Sequence, residues 1–191
     1  MAPTLFFDLA SPYAYLAVER ADRVFDSPPE LQPILLGAIF KLRGSGSWAA
    51  TEHRAAGMAE IERRARLYGL PALAWPTDWP CNSLAADRGA LWAGAQGRRA
   101  EFTRAVFRRE FTRGDDIADL EVLRAAAADA ELDPDELVEA TQSPEIKQAL
   151  RKATEQAWSL GVRGVPSVAV GSSVFFGDDR LEEAAAALAA E

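Results

Sequence analysis

The sequence predicts an α/β fold with short strands near both ends of the chain and a long helical segment between them. Three observations predict it. Short apolar runs of β-type composition occupy residues 4–8 and 31–37, and two more occupy residues 167–170 and 174–176. Over residues 49–160 only helical periodicity is found. The 191 residues, of which 49% are hydrophobic, are enough to bury one core.

The N-terminal elements are predicted to form a strand, a helix and a second strand. Residues 12–26 carry an apolar helical face and are long enough for the crossover that two parallel strands require. After the second strand, the sequence becomes rich in Gly and Ser over residues 38–48. This composition predicts a mobile loop that carries Lys41 and Arg43.

About five helices are predicted for the middle of the chain. The first spans about residues 49–68 and ends at Gly69, with Pro71 beyond it. A stiff apolar loop, WPTDWPC, follows at residues 75–81. Further helical patterns cover about residues 83–94, 100–112, 119–131 and 144–160, and a capping-box sequence at residues 133–136 starts another helix.

The C-terminal part is predicted to form a hairpin and a helix. Gly171 lies in the turn between the last two strands, and a terminal helix begins near Leu181. Strand-helix-strand followed later by hairpin-helix is the element order of a thioredoxin-like domain. We therefore predict a discontinuous thioredoxin-like domain from residues 1–42 and 162–191, with an all-helical insertion over residues 43–161.

Composition argues against several classes of function. A net charge of -8 argues against a nucleic-acid surface, and no apolar run approaches the ~20 residues of a membrane span. The single cysteine, Cys81, allows neither an intramolecular disulfide nor a CxxC redox pair. With one histidine, His53, which we expect to be solvated, no metal site is predicted. The N-terminus does not resemble a secretory leader, so we expect a cytoplasmic protein.

Ser11 lies where the first strand meets the first helix. The first turn of a helix presents unpaired N-H groups and a positive dipole end, which stabilise an anion such as a thiolate. Ser11-Pro12 is equally typical of a simple helix start, as in Ser143-Pro144, where no strand precedes the helix. From the local pattern alone both interpretations of Ser11 stay open.

Four stretches of the chain resemble the family of 2-hydroxychromene-2-carboxylate isomerases and kappa-class glutathione transferases. This family is thioredoxin-like and related to bacterial disulfide oxidoreductases. The stretches are FDLASPYAYLA (residues 7–17), LLGAIFK (35–41), PCNSLAADR (80–88) and GVPSVAVGSSVFFGDDRLE (164–182). The resemblance implies a thioredoxin-like domain with a helical insertion, glutathione as cofactor or substrate, and a homodimer.

The resemblance also implies roles for the glutathione side of a site. Ser11 stands where the related oxidoreductases carry a nucleophilic cysteine, so it is expected to donate a hydrogen bond that holds the glutathione thiolate. Pro166 resembles the family's cis proline, with Val165 offering backbone groups to glutathione; a trans proline that begins a strand is the alternative. Asp178, Asp179 and Arg180 resemble the pocket for the γ-glutamyl end, or form only an acidic helix start with an exposed arginine.

On the substrate side, the resemblance and the local pattern leave more alternatives. Lys41 is expected to meet a substrate carboxylate, or is a surface lysine. Asn82 lies near the groove or caps a helix, and Trp75 and Trp79 either wall an aromatic pocket or pack inside their loop. Substrate contacts are therefore assigned to Tyr13, Lys41, Ser45 and Asn82. Relatives commonly have an Asn near the position of Ser45, and this chain has none there.

Three functions remain open at this point. The first is a glutathione-dependent isomerase of 2-hydroxychromene-2-carboxylate or a similar aromatic catabolite. The second is a kappa-like glutathione transferase or peroxidase, in which glutathione is consumed. The third is a non-catalytic protein that binds thiols or peptides.

Overall fold

The computed structural model describes residues 2–190 and contains a four-stranded mixed sheet of order β2-β1-β3-β4. β1 runs parallel to β2, with Leu5 opposite Leu31, and antiparallel to β3, with Leu5 opposite Val168. β3 and β4 form an antiparallel hairpin. The strands are β1 (Thr4–Phe7), β2 (Glu30–Pro33), β3 (Ser167–Val170) and β4 (Ser173–Phe176). The predicted strand-helix-strand and hairpin-helix order is confirmed.

Helices cover both faces of the sheet and fill the middle of the chain. Within residues 2–190 none is long and apolar enough to cross a membrane. Short 3-10 turns occur at Trp48–Ala50 and Asp178–Arg180. The α-helices are α1 (Pro12–Val24), α2 (Leu36–Arg43), α3 (Arg54–Leu67), α4 (Leu84–Ala95), α5 (Arg99–Arg113), α6 (Leu120–Asp129), α7 (Pro134–Gln142), α8 (Pro144–Ser159) and α9 (Leu181–Ala189).

The prediction for residues 34–48 was wrong in two respects. The second strand ends at Pro33, and the expected mobile loop is largely α2. Two contacts far apart in sequence start this helix: the Leu36 N-H donates to Asp8 Oδ2 at 2.8 Å, and the Leu35 N-H donates to Thr154 Oγ1 at 3.0 Å. Gly44, in the left-handed region at φ 65°, ends it. Because the partners lie on other elements, the local pattern did not reveal this helix.

The central strand β1 is apolar on both faces because both faces are covered. Phe7 belongs to the large core, where its ring lies 6.0 Å from that of Phe107 on α5. Phe6 belongs to a smaller core with Ile34, Ile39 and others on the opposite face. The large core therefore continues from the sheet into the helical insertion. The proposed domain boundaries stay a prediction.

Candidate functional site

A cavity of about 720 Å³ opens where β1 meets α1. Its walls come from the start of α1, from α2, from the turn at Trp48–Ala50, from residues 79–84 and from the chain just before β3. Most of these are ends of elements or loops around the sheet, whereas α2 lines the cavity along its whole length. The mixture of apolar lining and a few polar groups is typical of a small-molecule site.

Ser11 lies at this cavity and is 5% exposed. It is the N-cap of α1, and its Oγ accepts a hydrogen bond from the Ala14 N-H at 3.3 Å. This bond uses the oxygen as acceptor, so the hydroxyl hydrogen remains free to donate to an anion in the cavity. The helix-start and anion-site interpretations are therefore compatible, because one hydroxyl can do both.

Val165 also lines the cavity, and the Val165-Pro166 peptide bond is cis, as the resemblance implies. The Pro166 carbonyl accepts a bond from the Gly177 N-H at 3.0 Å. Neither the N-H nor the C=O of Val165 has a hydrogen-bond partner among residues 2–190. An extended ligand with its own backbone amide can use these groups as a neighbouring strand does.

The three residues expected to hold a γ-glutamyl end lie outside the lining of this cavity. Asp178 is buried, and its carboxylate accepts bonds from Arg64 Nη1 at 2.8 Å and from the Tyr68 hydroxyl at 2.9 Å. Asp179 lies 3.4 Å from the Arg64 guanidinium, and Arg180 pairs with Glu183. Burial raises the pKa of Asp178, which Tyr68 and Arg64 counteract. The carboxylate of Asp178 is therefore held by α3.

Arg64 and Tyr68 were missed in the sequence because no local signal connects them with Asp178. Each reaches Asp178 across more than a hundred residues of chain. Arg64 also pairs with Glu60 at 2.8 Å, one helical turn earlier, and its guanidinium lies 5.6 Å from the Tyr13 ring centre. The i, i+4 spacing of Glu60 and Arg64 is the one visible signal, and it usually marks a solvated helix face.

The substrate-side predictions divide into two groups. Tyr13 and Asn82 line the cavity. Asn82 directly precedes Ser83, the N-cap of α4, and its Oδ1 accepts a bond from the Leu84 N-H at 3.1 Å at the start of that helix. Lys41 and Ser45 are not lining residues, whereas Arg43 and Ser47 are. Because residues 41 and 43 are two apart on a helix, their side chains leave it in different directions. Arg43 is the basic residue among those that line the cavity.

An aromatic wall, formed by Tyr13, Trp48 and Trp79, bounds one part of the cavity. The ring centres of Trp48 and Trp79 lie 5.4 Å apart, and those of Tyr13 and Trp48 lie 6.2 Å apart. Trp75 packs behind Trp79 at 4.8 Å and does not line the cavity. Trp79 is therefore part of the aromatic wall, and Trp75 is a packing residue behind it. Trp48 is also part of the wall, and the sequence did not single it out.

A buried carboxyl, Asp8, lies at the base of the cavity and joins the elements around it. Its Oδ1 accepts bonds from the Ala10 N-H at 3.0 Å and from the Ser83 hydroxyl at 2.8 Å, and its Oδ2 accepts from Leu36. Burial raises the pKa of this carboxyl, and the three donors oppose the rise. Asp8 thereby fixes the starts of α1, α2 and α4 relative to one another.

Two more carboxyls are buried nearby. Burial, reinforced by the charge of Asp8, raises the pKa of Asp87 and of Glu110 well above their ordinary values. Burial and the neighbouring Glu110 likewise raise the pKa of the Cys81 thiol, so the cysteine lines the cavity as a neutral thiol. Within residues 2–190 no group of His, Cys, Asp and Glu could hold a metal ion, and the His53 ring is largely exposed.

Strand-to-helix joint, cis proline and helical insertion together define the class of protein. The family model described as "DSBA-like thioredoxin domain" matches residues 4–189, so the chain belongs to this family. Within the family it belongs to the branch of 2-hydroxychromene-2-carboxylate isomerases and kappa-class glutathione transferases. The chain is 33% identical over 184 residues to the 2-hydroxychromene-2-carboxylate isomerase of Sphingobium xenophagum, covering 93% of this chain and 92% of the relative. It is 26% identical over 197 residues to human glutathione S-transferase kappa 1, covering 93% and 86%.

Solved structures show the same fold. A 2-hydroxychromene-2-carboxylate isomerase superposes with a TM-score of 0.86 at 23% identity, covering 100% of this chain and 95% of the other. The cytosolic disulfide reductase DsbM from Pseudomonas aeruginosa, solved with GSH, superposes with a TM-score of 0.67 at 17% identity, covering 99% and 96%. The fold class predicted from the sequence is confirmed.

Proposed function

We propose that the protein is a glutathione-dependent isomerase that acts on 2-hydroxychromene-2-carboxylate or a similar aromatic carboxylate. The observation that carries the proposal is the placement of Ser11: a nearly buried hydroxyl at a helix N-terminus, with its hydrogen free, at a cavity that Val165 also lines. The 33% identity to an isomerase of this name supports the substrate class.

Each part of the cavity has a role in this proposal. The unpartnered backbone groups of Val165 pair with the cysteinyl unit of glutathione and bring its sulfur towards Ser11. The Ser11 hydroxyl and the positive end of α1 stabilise the thiolate over the thiol. Tyr13, Trp48 and Trp79 pack against the aromatic substrate, and Arg43 pairs with its carboxylate.

Addition and expulsion of the thiolate then achieve the isomerisation. The hemiketal ring of the substrate first opens: the ring C-O bond breaks, the 2-hydroxyl becomes a ketone and its proton passes to the phenol oxygen. The sulfur then attacks the far carbon of the double bond conjugated to this ketone, forming a C-S bond while the electron pair of the double bond moves to the carbonyl side. The former double bond is now single and rotates. Return of the electron pair expels the thiolate with the other geometry, so glutathione is regenerated and no oxidant or reductant is needed.

A glutathione mass balance tests this proposal. Purified protein is incubated with 2-hydroxychromene-2-carboxylate and catalytic glutathione, and both the isomer ratio and free glutathione are followed. An isomerase changes the isomer ratio over many turnovers while free glutathione stays constant. Stoichiometric loss of glutathione with appearance of a conjugate would instead support the second candidate, a kappa-like transferase, which the 26% identity to human glutathione S-transferase kappa 1 favours.

A third outcome separates catalysis from binding. Saturable glutathione binding without turnover of 2-hydroxychromene-2-carboxylate or of a general electrophile would contradict both enzyme proposals. It would support the remaining interpretation, a thioredoxin-like protein that binds thiols.

A further inference from the structure

Trp48 holds its place in the cavity wall through an unusual contact with α3. Gly57 lies in the first turns of that helix, and its N-H donates to the His53 carbonyl at 2.9 Å, as the helix requires. A Cβ built on Gly57 would lie 2.5 Å from Cε3 and 2.9 Å from Cη2 of the Trp48 indole. Carbon atoms in contact are about 3.5–4.0 Å apart, so the indole occupies the space that a side chain would fill.

The backbone of Trp48 is fixed independently of this contact. The Trp48 carbonyl accepts bonds from the Thr51 N-H at 3.0 Å and from the Thr51 hydroxyl at 2.7 Å. Ser47 caps the same turn through the Ala49 N-H at 3.2 Å, and Ala49 is buried. A group added at Gly57 therefore displaces the indole rather than the chain that carries it.

The displaced indole would change the substrate side of the cavity. Trp48 lines that cavity and packs against Tyr13 and Trp79, which line it too. If a side chain at Gly57 pushes the Trp48 indole away from α3, the ring moves towards Tyr13 and Trp79 or into the open space of the cavity beside them. Gly57 itself is not a lining residue, so its effect on the cavity acts through Trp48.

We propose that Gly57 is a specificity-determining positioning residue: by leaving room for the Trp48 indole on α3, it sets the width of the aromatic side of the cavity and lets a flat aromatic electrophile enter. The inference rests on the proposed function, because it assigns this side to the electrophile. The atoms nearest to a Cβ built on Gly57 all belong to the Trp48 indole, so Ser11 and Val165, which serve glutathione, should keep their geometry when Gly57 is changed.

Binding of two glutathione conjugates tests the inference without turnover. S-methylglutathione reports the glutathione side alone, and S-(naphthylmethyl)glutathione adds a flat aromatic group; both dissociation constants are measured by calorimetry. Wild type is expected to prefer the naphthylmethyl conjugate. Gly57→Ala is expected to reduce that preference about tenfold or more, as overpacking does, while the dissociation constant for S-methylglutathione stays unchanged.

Ala59→Gly is the matched control, because Ala59 is exposed on the same helix and its substitution changes helix propensity alone. It should leave both dissociation constants unchanged. A Gly57→Ala variant with the full aromatic preference overturns the inference. Failure of wild type to bind either conjugate overturns the proposed function instead.

Thermal stability tests the Gly57–Trp48 contact directly. An alanine in a helix is intrinsically more stable than a glycine, so Gly57→Ala in a Trp48→Ala background should raise Tm by about 2–4 °C. With the indole present, the same substitution should lower Tm or leave it unchanged, because the clash offsets the gain. An equal rise in both backgrounds contradicts the contact on which the inference depends.

Discussion

At the scale of single residues, one oxygen at the strand-to-helix joint satisfies two demands. Ser11 Oγ accepts the capping bond from Ala14, and its hydrogen is left for a ligand. Sequence reasoning identified this position, since a strand, a serine and a helix-starting proline are adjacent in the chain. The sequence pattern could not distinguish a simple helix cap from an anion-binding hydroxyl, because the cavity beside Ser11 is built by residues far away in sequence.

The proposed substrate has a carboxylate, and two basic residues that are close in sequence differ in their access to it. Arg43 lines the cavity and Lys41 does not, so Arg43→Gln should raise KM for 2-hydroxychromene-2-carboxylate by about tenfold or more, since a charge-assisted bond is worth about 1.5–3 kcal/mol. Lys41→Gln, assayed in parallel by steady-state kinetics, should change KM little. The reverse ranking would return the role to Lys41, as the sequence resemblance implied.

At the scale of elements, Asp8 couples the starts of three helices around the cavity. It has no signal in the sequence beyond its place at the end of an apolar strand. The helix α2 was predicted as a loop for the same reason: its start depends on Asp8 and Thr154, which are remote in the chain. Elements stabilised by local caps, such as α7 with Asp133 and α8 with Ser143, were predicted well.

Replacing Asp8 should therefore destabilise the start of α2 more than the rest of the protein. Asp8→Ala leaves the Ala10 and Leu36 N-H groups and the Ser83 hydroxyl without their acceptor, which should cost about 2–4 kcal/mol of unfolding free energy in urea. Hydrogen exchange should accelerate most at the start of α2. Asp26→Ala, at an exposed position after α1, is the control. Uniform acceleration across the chain would show that Asp8 does not act on α2 in particular.

At the scale of the whole molecule, stability should depend on buried carboxyls. Burial raises the pKa of Glu110 well above its ordinary value near 4.5, and neither carboxylate oxygen has a hydrogen-bond partner among the described residues. Between the unfolded and folded pKa values the folded state binds more protons than the unfolded state. The contribution of protonated Glu110 to the free energy of unfolding is therefore fully present below the pKa of the unfolded state, and it is lost as pH rises towards the pKa of the folded state.

Glu110→Gln should remove this part of the pH dependence. The amide resembles the protonated acid, so the free energy of unfolding should fall less between pH 5 and pH 8 than it does in wild type, and the variant should be the more stable protein at the upper end. Urea unfolding across that range measures the difference. Glu139→Gln, at an exposed position on α7, should follow the wild-type curve. An unchanged slope in Glu110→Gln would show that Glu110 is ionised in the folded protein.

The overall architecture was largely visible in the sequence, whereas the walls of the cavity were not. Apolar periodicity and caps are local, so they predicted the order of the elements along the chain and most of the helices. The aromatic contribution of Trp48, the pairing of Asp178 with Arg64, and the coupling by Asp8 all depend on contacts between distant segments. The homodimer stays a prediction, and light scattering on the purified chain measures it.

The most direct test of the central claim is the ionisation of bound glutathione. Ultraviolet absorbance of the thiolate is followed as glutathione is titrated into wild type, Ser11→Ala and Ser143→Ala. Both variants lose a helix cap of similar worth, about 1 kcal/mol, but only Ser11 lies at the cavity.

Wild type and Ser143→Ala should both show thiolate absorbance at neutral pH. In Ser11→Ala the pKa of the bound thiol should return towards the ordinary value of about 8.5, so the absorbance at neutral pH should fall. Equal thiolate absorbance in all three proteins would contradict a role for Ser11 in holding the thiolate.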